Sequence, residues 1–369
     1  MKIAINAIPY VRWSGIETFL HGLLAAWPIN SRDEIVIFAN QESAKFLQNL
    51  PDNIKVRTHN FKNLNRARLF IYQQINLPLI LWRQGFDILF CASLLAPWIY
   101  FKKIITIHDA APFVLKEENS ALGKIFWRIN LLFARLTSLK IITVSKFSRD
   151  ELIKYLGIKE KNLEIIYNGS PNYQSGDASP ESNDSPINYG DYIIAVGNAR
   201  PRKNLSQLIK AFEILSPQVP GLKLVIVGKN DWRMQEIMTT VHGLEEKIIF
   251  SGFVGEIEKQ NLIKNAEALI FPSLYEGFGL PIVEANILET PLICSDIPSF
   301  HEVAGESALF FNPLDASSLA AKIQELIANP ELKKTLVARG QINAKRFNWS
   351  ESAQKLSELI HSYETPANK

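Results

Sequence analysis

Pro272 to Ala285 reads P-S-L-Y-E-G-F-G-L-P-I-V-E-A, and this stretch decides how the rest of the chain is read. Just before it, Ala268-Leu-Ile-Phe271 is a short apolar run of the kind that forms a buried parallel strand, and Pro281 suits the first position of a helix that follows. A loop between such a strand and such a helix lies where open α/β sheets bind ligands. Gly277 and Gly279 let the backbone come close to a ligand, and amides near Leu280 point out of a helix N-terminus that favours phosphate. Glu276 before the loop and Glu284 on the helix after it accept hydrogen bonds only. Such groups repel a phosphate but suit the hydroxyls of a sugar, so the pattern predicts a nucleotide-sugar pocket. Taken as isolated residues, Glu276 as a helix cap and Glu284 as a solvated helix residue are the plainer reading.

Working outward, the chain alternates strand and helix patterns along its 369 residues, a length that suits two domains with separate cores. Strands are expected at 3–7, 34–38, 56–59, 88–91, 103–107, 140–144 and 163–166, with helices such as 17–26 and 149–156 between them. A polar run rich in Ser, Pro, Asn and Asp, 169–189, has no apolar periodicity and marks a linker. Strands then recur at 192–196, 223–227, 248–250, 268–271, 291–294 and 308–311. Alternation of this kind calls for parallel sheets, hence an α/β fold with two Rossmann-like domains. The domain expectation is 1–175, a linker at 176–188, a second domain at 189–346 and a closing helical segment at 347–369.

The net charge of +3 conceals a split between the halves. Residues 1–170 carry 22 Lys and Arg against 13 Asp and Glu, and the remainder carries 18 against 24. The basic excess gathers around Lys62, Arg66, Arg68, Arg83, Lys102, Lys103, Lys124 and Arg128. Among these stand Phe61, Phe70, Tyr72, Trp82, Trp98, Tyr100, Phe126 and Trp127. A face of that composition fits an anionic membrane or a lipid-linked diphosphate, and equally a solvated basic surface over an aromatic core. A nucleic-acid binder would use the same charges but leaves Glu276, Glu284 and the glycine loop unexplained, so no nucleic-acid partner is expected. Cys91 and Cys294 lie far apart in apolar runs and read as reduced core residues of a cytoplasmic protein. The N-terminus enters a strand directly without the pattern of a signal peptide, and no apolar stretch reaches the roughly 20 residues of a spanning helix.

With both acids, both glycines, Phe278 and Pro281 in place, the 272–285 stretch resembles the signature of the retaining glycosyltransferases of family four. That resemblance implies the GT-B architecture: two Rossmann-like domains facing an interdomain cleft, with a C-terminal helix crossing back to the first. It also implies that Glu276 approaches the donor sugar, the loop Gly277-Phe278-Gly279-Leu280 meets the diphosphate and Glu284 binds the ribose. Gly197-Asn-Ala-Arg-Pro-Arg-Lys-Asn-Leu205 resembles the family's P-R-K-N segment, in which Arg202 and Lys203 hold the donor's phosphates. His108, in I-T-I-H-D, matches a histidine that lies beside the transferred sugar. Tyr10 to Leu20 resembles the first glycine-containing loop, here with Ser14-Gly15 where two glycines are usual. Gly252-Phe253-Val254 matches the segment lining the base pocket, and the 347–363 stretch matches the crossover helix.

The resemblance implies transfer of a hexose from a nucleoside diphosphate to an acceptor hydroxyl. GDP-mannose leads as donor and UDP-sugars follow, with a glycan or lipid-linked acceptor at the inner face of a membrane. No D-x-D string is present to hold a metal against the diphosphate, so neither metal nor cofactor is expected and Arg202 and Lys203 take that part. A non-catalytic nucleotide-sugar-binding protein and another enzyme of this fold, such as a sugar-nucleotide epimerase, remain as alternatives.

Overall fold

The computed structural model describes residues 1–10, 15–28, 33–59, 66–115, 120–170, 189–241 and 243–364. The expected linker at 176–188, Val11 to Ser14 of the first glycine loop, Phe61 and Lys62 fall outside them. The chain divides into two compact units, Met1–Gly169 with Asn348–Lys369, and Ser170–Phe347.

In the first unit seven strands form one parallel sheet: β1 (Lys2–Ala7), β2 (Glu34–Asn40), β3 (Ile54–His59), β4 (Ile88–Cys91), β5 (Lys103–Thr106), β6 (Ser138–Thr143) and β7 (Leu163–Ile165). Their order, β3-β2-β1-β4-β5-β6-β7, reverses direction between β1 and β4. A strand covered on both faces must be apolar throughout, and β4 and β5 are buried at every position. The edge strand β3 instead exposes the side chains of its middle. The C-terminal helix Trp349–His361 belongs with this unit. Trp349 packs edge-on against Phe19 at 6.2 Å, Ser352 donates to the Tyr167 carbonyl at 2.8 Å, and His361 meets the buried Asp33 at 3.0 Å.

The second unit repeats the plan with β8 (Tyr192–Val196), β9 (Lys223–Val227), β10 (Ile248–Gly252), β11 (Ala268–Phe271), β12 (Leu292–Ser295) and β13 (Ala308–Phe311). The order β10-β9-β8-β11-β12-β13 again reverses at its centre, between β8 and β11. Ile193, Leu208, Phe212, Leu224, Ile270 and Ile323 are among the side chains packed in its core. Cys91 and Cys294 are both buried and unbridged, at the ends of β4 and within β12.

Two expectations need correction. Lys103 is not part of a basic face. Its ammonium is buried beneath the sheet's end, donating to the Tyr100 carbonyl at 2.7 Å and to Thr137, and burial lowers its pKa to about 8. Tyr100 is likewise interior. Pro281 is the second residue of its helix, which begins one position earlier at Leu280. Among the described residues no helix is long and apolar enough to cross a membrane.

Candidate functional site

In a doubly wound sheet the loops leaving the two central strands diverge to opposite faces, which opens a crevice at their carboxyl ends. In the second unit those strands are β8 and β11, so Gly197 and the 272–279 loop border the same crevice. The chain after β8 makes a single turn of 3₁₀-helix, Pro201–Lys203, before the helix Leu205–Leu215. Asn204 joins the two in the left-handed region at φ 57°, and its amide donates to the carbonyls of Pro272 and Pro313 at 3.1 and 2.7 Å. The Leu274 amide in turn donates to the Arg202 carbonyl at 2.7 Å. These bonds tie the two loops together and aim Arg202 and Lys203 at Glu276.

The three side chains form one cluster. Arg202 Nη1 lies 2.7 Å from Glu276 Oε2 and Lys203 Nζ 2.7 Å from Glu276 Oε1. Arg202 also donates to the Tyr275 carbonyl at 3.1 Å, and the Lys203 ammonium sits 5.0 Å from the centre of the Phe271 ring. Burial alone would raise the Glu276 pKa, but Lys203 and Arg202 together overcome it and hold the carboxyl below its usual range. For Lys203 burial prevails, helped by the like charges of Arg202 and Arg200 against the single carboxylate, and its pKa falls below that of an ordinary lysine. Two cations against one anion leave the cluster with a surplus positive charge in a secluded site, which suits a phosphate ligand.

Gly279 caps the helix Leu280–Ile287 at φ 104°, and a Cβ there would meet Ile282, Phe300 and Phe271 at 3.1–3.2 Å. It brings no capping side chain, and Phe278 beside it is buried against Phe347 at 5.3 Å. One turn into this helix Glu284 is buried, and its Oε1 lies 3.1 Å from Lys259 Nζ on the helix Glu256–Lys264. Lys259 also bridges to Glu256 at 2.8 Å. Burial raises the Glu284 pKa, Lys259 opposes it and Glu256 adds to it, and the net shift is upward. At the end of β10, Gly252 has φ 75° and Phe253 stands 76% exposed. An apolar ring left in solvent three positions before Glu256 is suited to stacking on a flat ligand.

Lys259, Asn204 and Gly228 were not among the residues that the sequence marked out. Gly228 donates its amide to the Gly252 carbonyl at 3.1 Å, and a Cβ there would stand 1.9 Å from the Gly197 carbonyl, so the strand ends of β8, β9 and β10 meet at glycine. The sequence did show a glycine at each of these strand ends. Nothing in it linked Lys259 to a glutamate 25 positions away.

In the first unit His108 follows β5, the strand beside β4. Its Nε2 lies 2.9 Å from the Ala92 carbonyl after β4, its ring is edge-on to Phe19 at 5.1 Å, and Ser148 donates to its backbone carbonyl at 2.8 Å. Burial lowers its pKa to about 4, so the imidazole is neutral at physiological pH. Asp109 accepts the Ala111 amide at 2.9 Å and shapes the following turn. Gly15 opens the helix Gly15–Ala25, which carries Phe19 to the histidine. The structure therefore joins Arg202, Lys203 and Glu276 in one cluster and Glu284 with Lys259 and Glu256 in another, in the same unit as Gly197 and the loop to Leu280, while His108 and Gly15 lie in the other unit. Among the described residues no group of three or more His, Cys, Asp or Glu could hold a metal ion.

Residues 13–170 match the family Glycosyltransferase Family 4, and residues 180–343 match Glycosyl transferases group 1. An O-antigen chain mannosyltransferase of Salmonella typhimurium is 32% identical over 230 residues, 62% of this chain and 61% of that protein. The O-antigen chain mannosyltransferase B of Escherichia coli is 28% identical over 271 residues, 71% of this chain and 70% of its own length. Among solved structures, Anabaena HepE in complex with UDP and glucose superposes with a TM-score of 0.74 at 20% identity, covering 98% of this chain and all of the other. The lipopolysaccharide glycosyltransferase WaaG superposes at 0.72 with 14% identity, over 97% of this chain and 99% of that one. These likenesses establish a GT-B fold.

Proposed function

The chain belongs to the glycosyltransferases of group 1 and family 4, and from that membership we propose that it moves a hexose, with retention at the anomeric carbon, from a nucleoside diphosphate sugar to a hydroxyl of a glycan or lipid-linked acceptor. Mannose carried by GDP is the favoured donor, because the relatives at about 30% identity are named mannosyltransferases. The observation that carries the reading is the buried cluster of Glu276 with Arg202 and Lys203 at the centre of a doubly wound sheet.

Glu276 compensates two buried cations that would otherwise repel each other. When the donor enters, its diphosphate takes over Arg202 and Lys203, and Glu276 turns to the hydroxyls of the hexose. As the bond from the anomeric carbon to the phosphate oxygen breaks, negative charge grows on the leaving diphosphate and the two cations stabilise it in place of a metal. The acceptor oxygen bonds to the anomeric carbon on the face being vacated, and its proton passes to the departing phosphate oxygen. Glu284 receives the ribose hydroxyls, with Lys259 holding its carboxylate in position, and Phe253 stacks on the base. In the first unit the neutral His108 imidazole offers a hydrogen bond without adding charge. The protein works at the cytoplasmic face of a membrane, in peripheral contact with it.

A ligand that binds only the folded state raises its melting temperature by mass action. We expect stabilisation by GDP-mannose without added metal, ahead of UDP-, ADP- and dTDP-sugars, and its loss in Glu284→Ala. Stabilisation by none of these sugars overturns the reading, and a UDP-sugar alone overturns the choice of donor.

A further inference from the structure

The helix Ala121–Thr137 in the first unit has three sides rather than two. At 3.6 residues per turn, Trp127, Asn130, Leu131, Ala134 and Thr137 fall on the side that packs into the core. On the opposite side Leu122, Ile125, Phe126, Ile129, Leu132 and Leu136 form an apolar stripe along the whole helix, and all six are exposed, Leu122 to 80%. Lys124, Arg128 and Arg135 occupy the strip between. Isolated exposed leucines are ordinary, but a complete stripe needs a partner.

A second stripe lies on the neighbouring helical segments Arg66–Ile71, Tyr72–Asn76 and Leu77–Arg83. There Ile71, Ile75, Leu79 and Trp82 recur at helical spacing and are exposed as well. An aromatic seam joins the two. Phe70 packs on Phe126 at 6.1 Å and on Trp98 at 5.3 Å, Trp98 stacks on Phe133 at 4.7 Å, and the Trp98 indole donates to Asn130 at 3.2 Å. Ile99 and Phe101, after Trp98, are also exposed.

Charge identifies the occupant. No Asp or Glu occurs between residues 120 and 149, where six Lys and Arg stand, nor between 66 and 86, where three stand. A symmetric dimer through this face would set these cations against their own copies with no acid between them. An anionic bilayer instead offers hydrocarbon to the stripes and negative headgroups to the cations around them, and exposed Trp82 and Phe101 suit the boundary between the two. A shallow basin lined by Arg135, Lys159 and Lys161 adjoins Leu136 and extends the basic border.

We propose that the face made by the helix Ala121–Thr137 and the segments from Ile71 to Trp82 seats on an anionic lipid bilayer, with the two stripes entering its interface. This deepens the peripheral contact named above by assigning the residues, and its test needs neither donor nor acceptor. The full chain should float with phosphatidylcholine–phosphatidylglycerol vesicles but not with phosphatidylcholine alone, and added salt should weaken the binding. Leu122→Glu/Ile129→Glu should lower vesicle affinity at least tenfold and Arg128→Glu/Arg135→Glu severalfold. A control on the second unit, Leu314→Glu/Ile342→Glu, should change nothing. All four substituted hydrophobic positions are exposed, so melting temperature and nucleotide-sugar stabilisation should stay at wild-type values. Wild-type protein that ignores anionic vesicles, or face variants that bind as wild type does, would overturn the proposal. Concentration-dependent dimerisation abolished by Leu122→Glu/Ile129→Glu, without vesicle binding, would assign the face to a second copy. A failure of flotation leaves the transferase reading intact, and a failure of nucleotide-sugar stabilisation leaves this face intact.

Discussion

Glu276 and Glu284 stand eight positions apart, both buried and both salt-bridged to a lysine, yet their carboxyl groups are shifted in opposite directions. Glu276 faces two cations, and its cluster carries a surplus positive charge. Glu284 shares Lys259 with Glu256, and its cluster carries a surplus negative charge. A diphosphate seeks the first and repels the second, whereas ribose hydroxyls, which donate, are served by the second. On the proposed reading the two clusters give the crevice a direction, with the sugar-phosphate end at Glu276 and the nucleoside end at Glu284. Burial is common to both, so the number of cations sets the polarity.

The strongest way to break this comparison is to remove a cation from the positive end. If the cluster holds the leaving diphosphate as proposed, Lys203→Ala takes away a contact that stabilises its developing charge, and the expected loss in kcat is about 100-fold or more. Single-turnover kinetics with saturating donor would check it, and near-normal turnover would remove Lys203 from the chemistry. At the negative end the effect should fall on binding. Glu284→Ala should weaken donor affinity roughly tenfold, in line with loss of a charged hydrogen bond, and leave kcat less affected. Lys259→Met removes the cation that opposes the upward shift of Glu284. Titration calorimetry should then show donor affinity falling as the solution is made acidic, over a range where wild type is flat. A flat profile in the variant would mean that Lys259 does not govern the charge of Glu284.

The parallel sheets were legible because buried strands advertise themselves as short apolar runs. Tyr192–Val196, Lys223–Val227, Ala268–Phe271 and Ala308–Phe311 were read with the bounds they have in the structure. The positions of Glu276, Arg202 and Lys203 in the loops after β11 and β8, and of Glu284 on the helix that follows, were legible in the linear pattern, while their roles rested on the family resemblance. Their pairing was not legible. Arg202 and Glu276 are 74 positions apart, and the sequence suggested separate roles, cations for phosphate and carboxylate for sugar, where the structure joins them. Lys103 misled for a related reason. Its neighbours Tyr100 and Lys102 read as part of a basic aromatic surface, but it begins an interior strand, and its ammonium is satisfied by carbonyl and hydroxyl oxygens that are visible only in three dimensions. Exposure of the stripe on Ala121–Thr137 was hidden in the same way, since periodicity identifies faces without saying which one packs.

The smallest expected effect is also the sharpest test of opposite polarity, because it concerns sign. A carboxyl held below its ordinary range contributes stability that is present above the unfolded-state value and is lost as pH falls through the folded-state value, and Glu276 is of this kind. A carboxyl raised above its ordinary range contributes stability that is present below the unfolded-state value and is lost as pH rises through the folded-state value, and Glu284 is of this kind. Glu276→Gln should therefore lower the melting temperature at neutral pH, with the gap to wild type closing as the solution is acidified below the carboxylate range. Glu284→Gln should match or exceed wild type at neutral pH and lose that advantage once the wild-type carboxyl is protonated. Each difference should be on the order of 1 kcal/mol, or about 2–4 °C for a unit of this size. Melting curves of the two variants across the acidic range decide the matter: gaps of the same sign would mean that one electrostatic environment spans both glutamates, and the crevice would then have no direction.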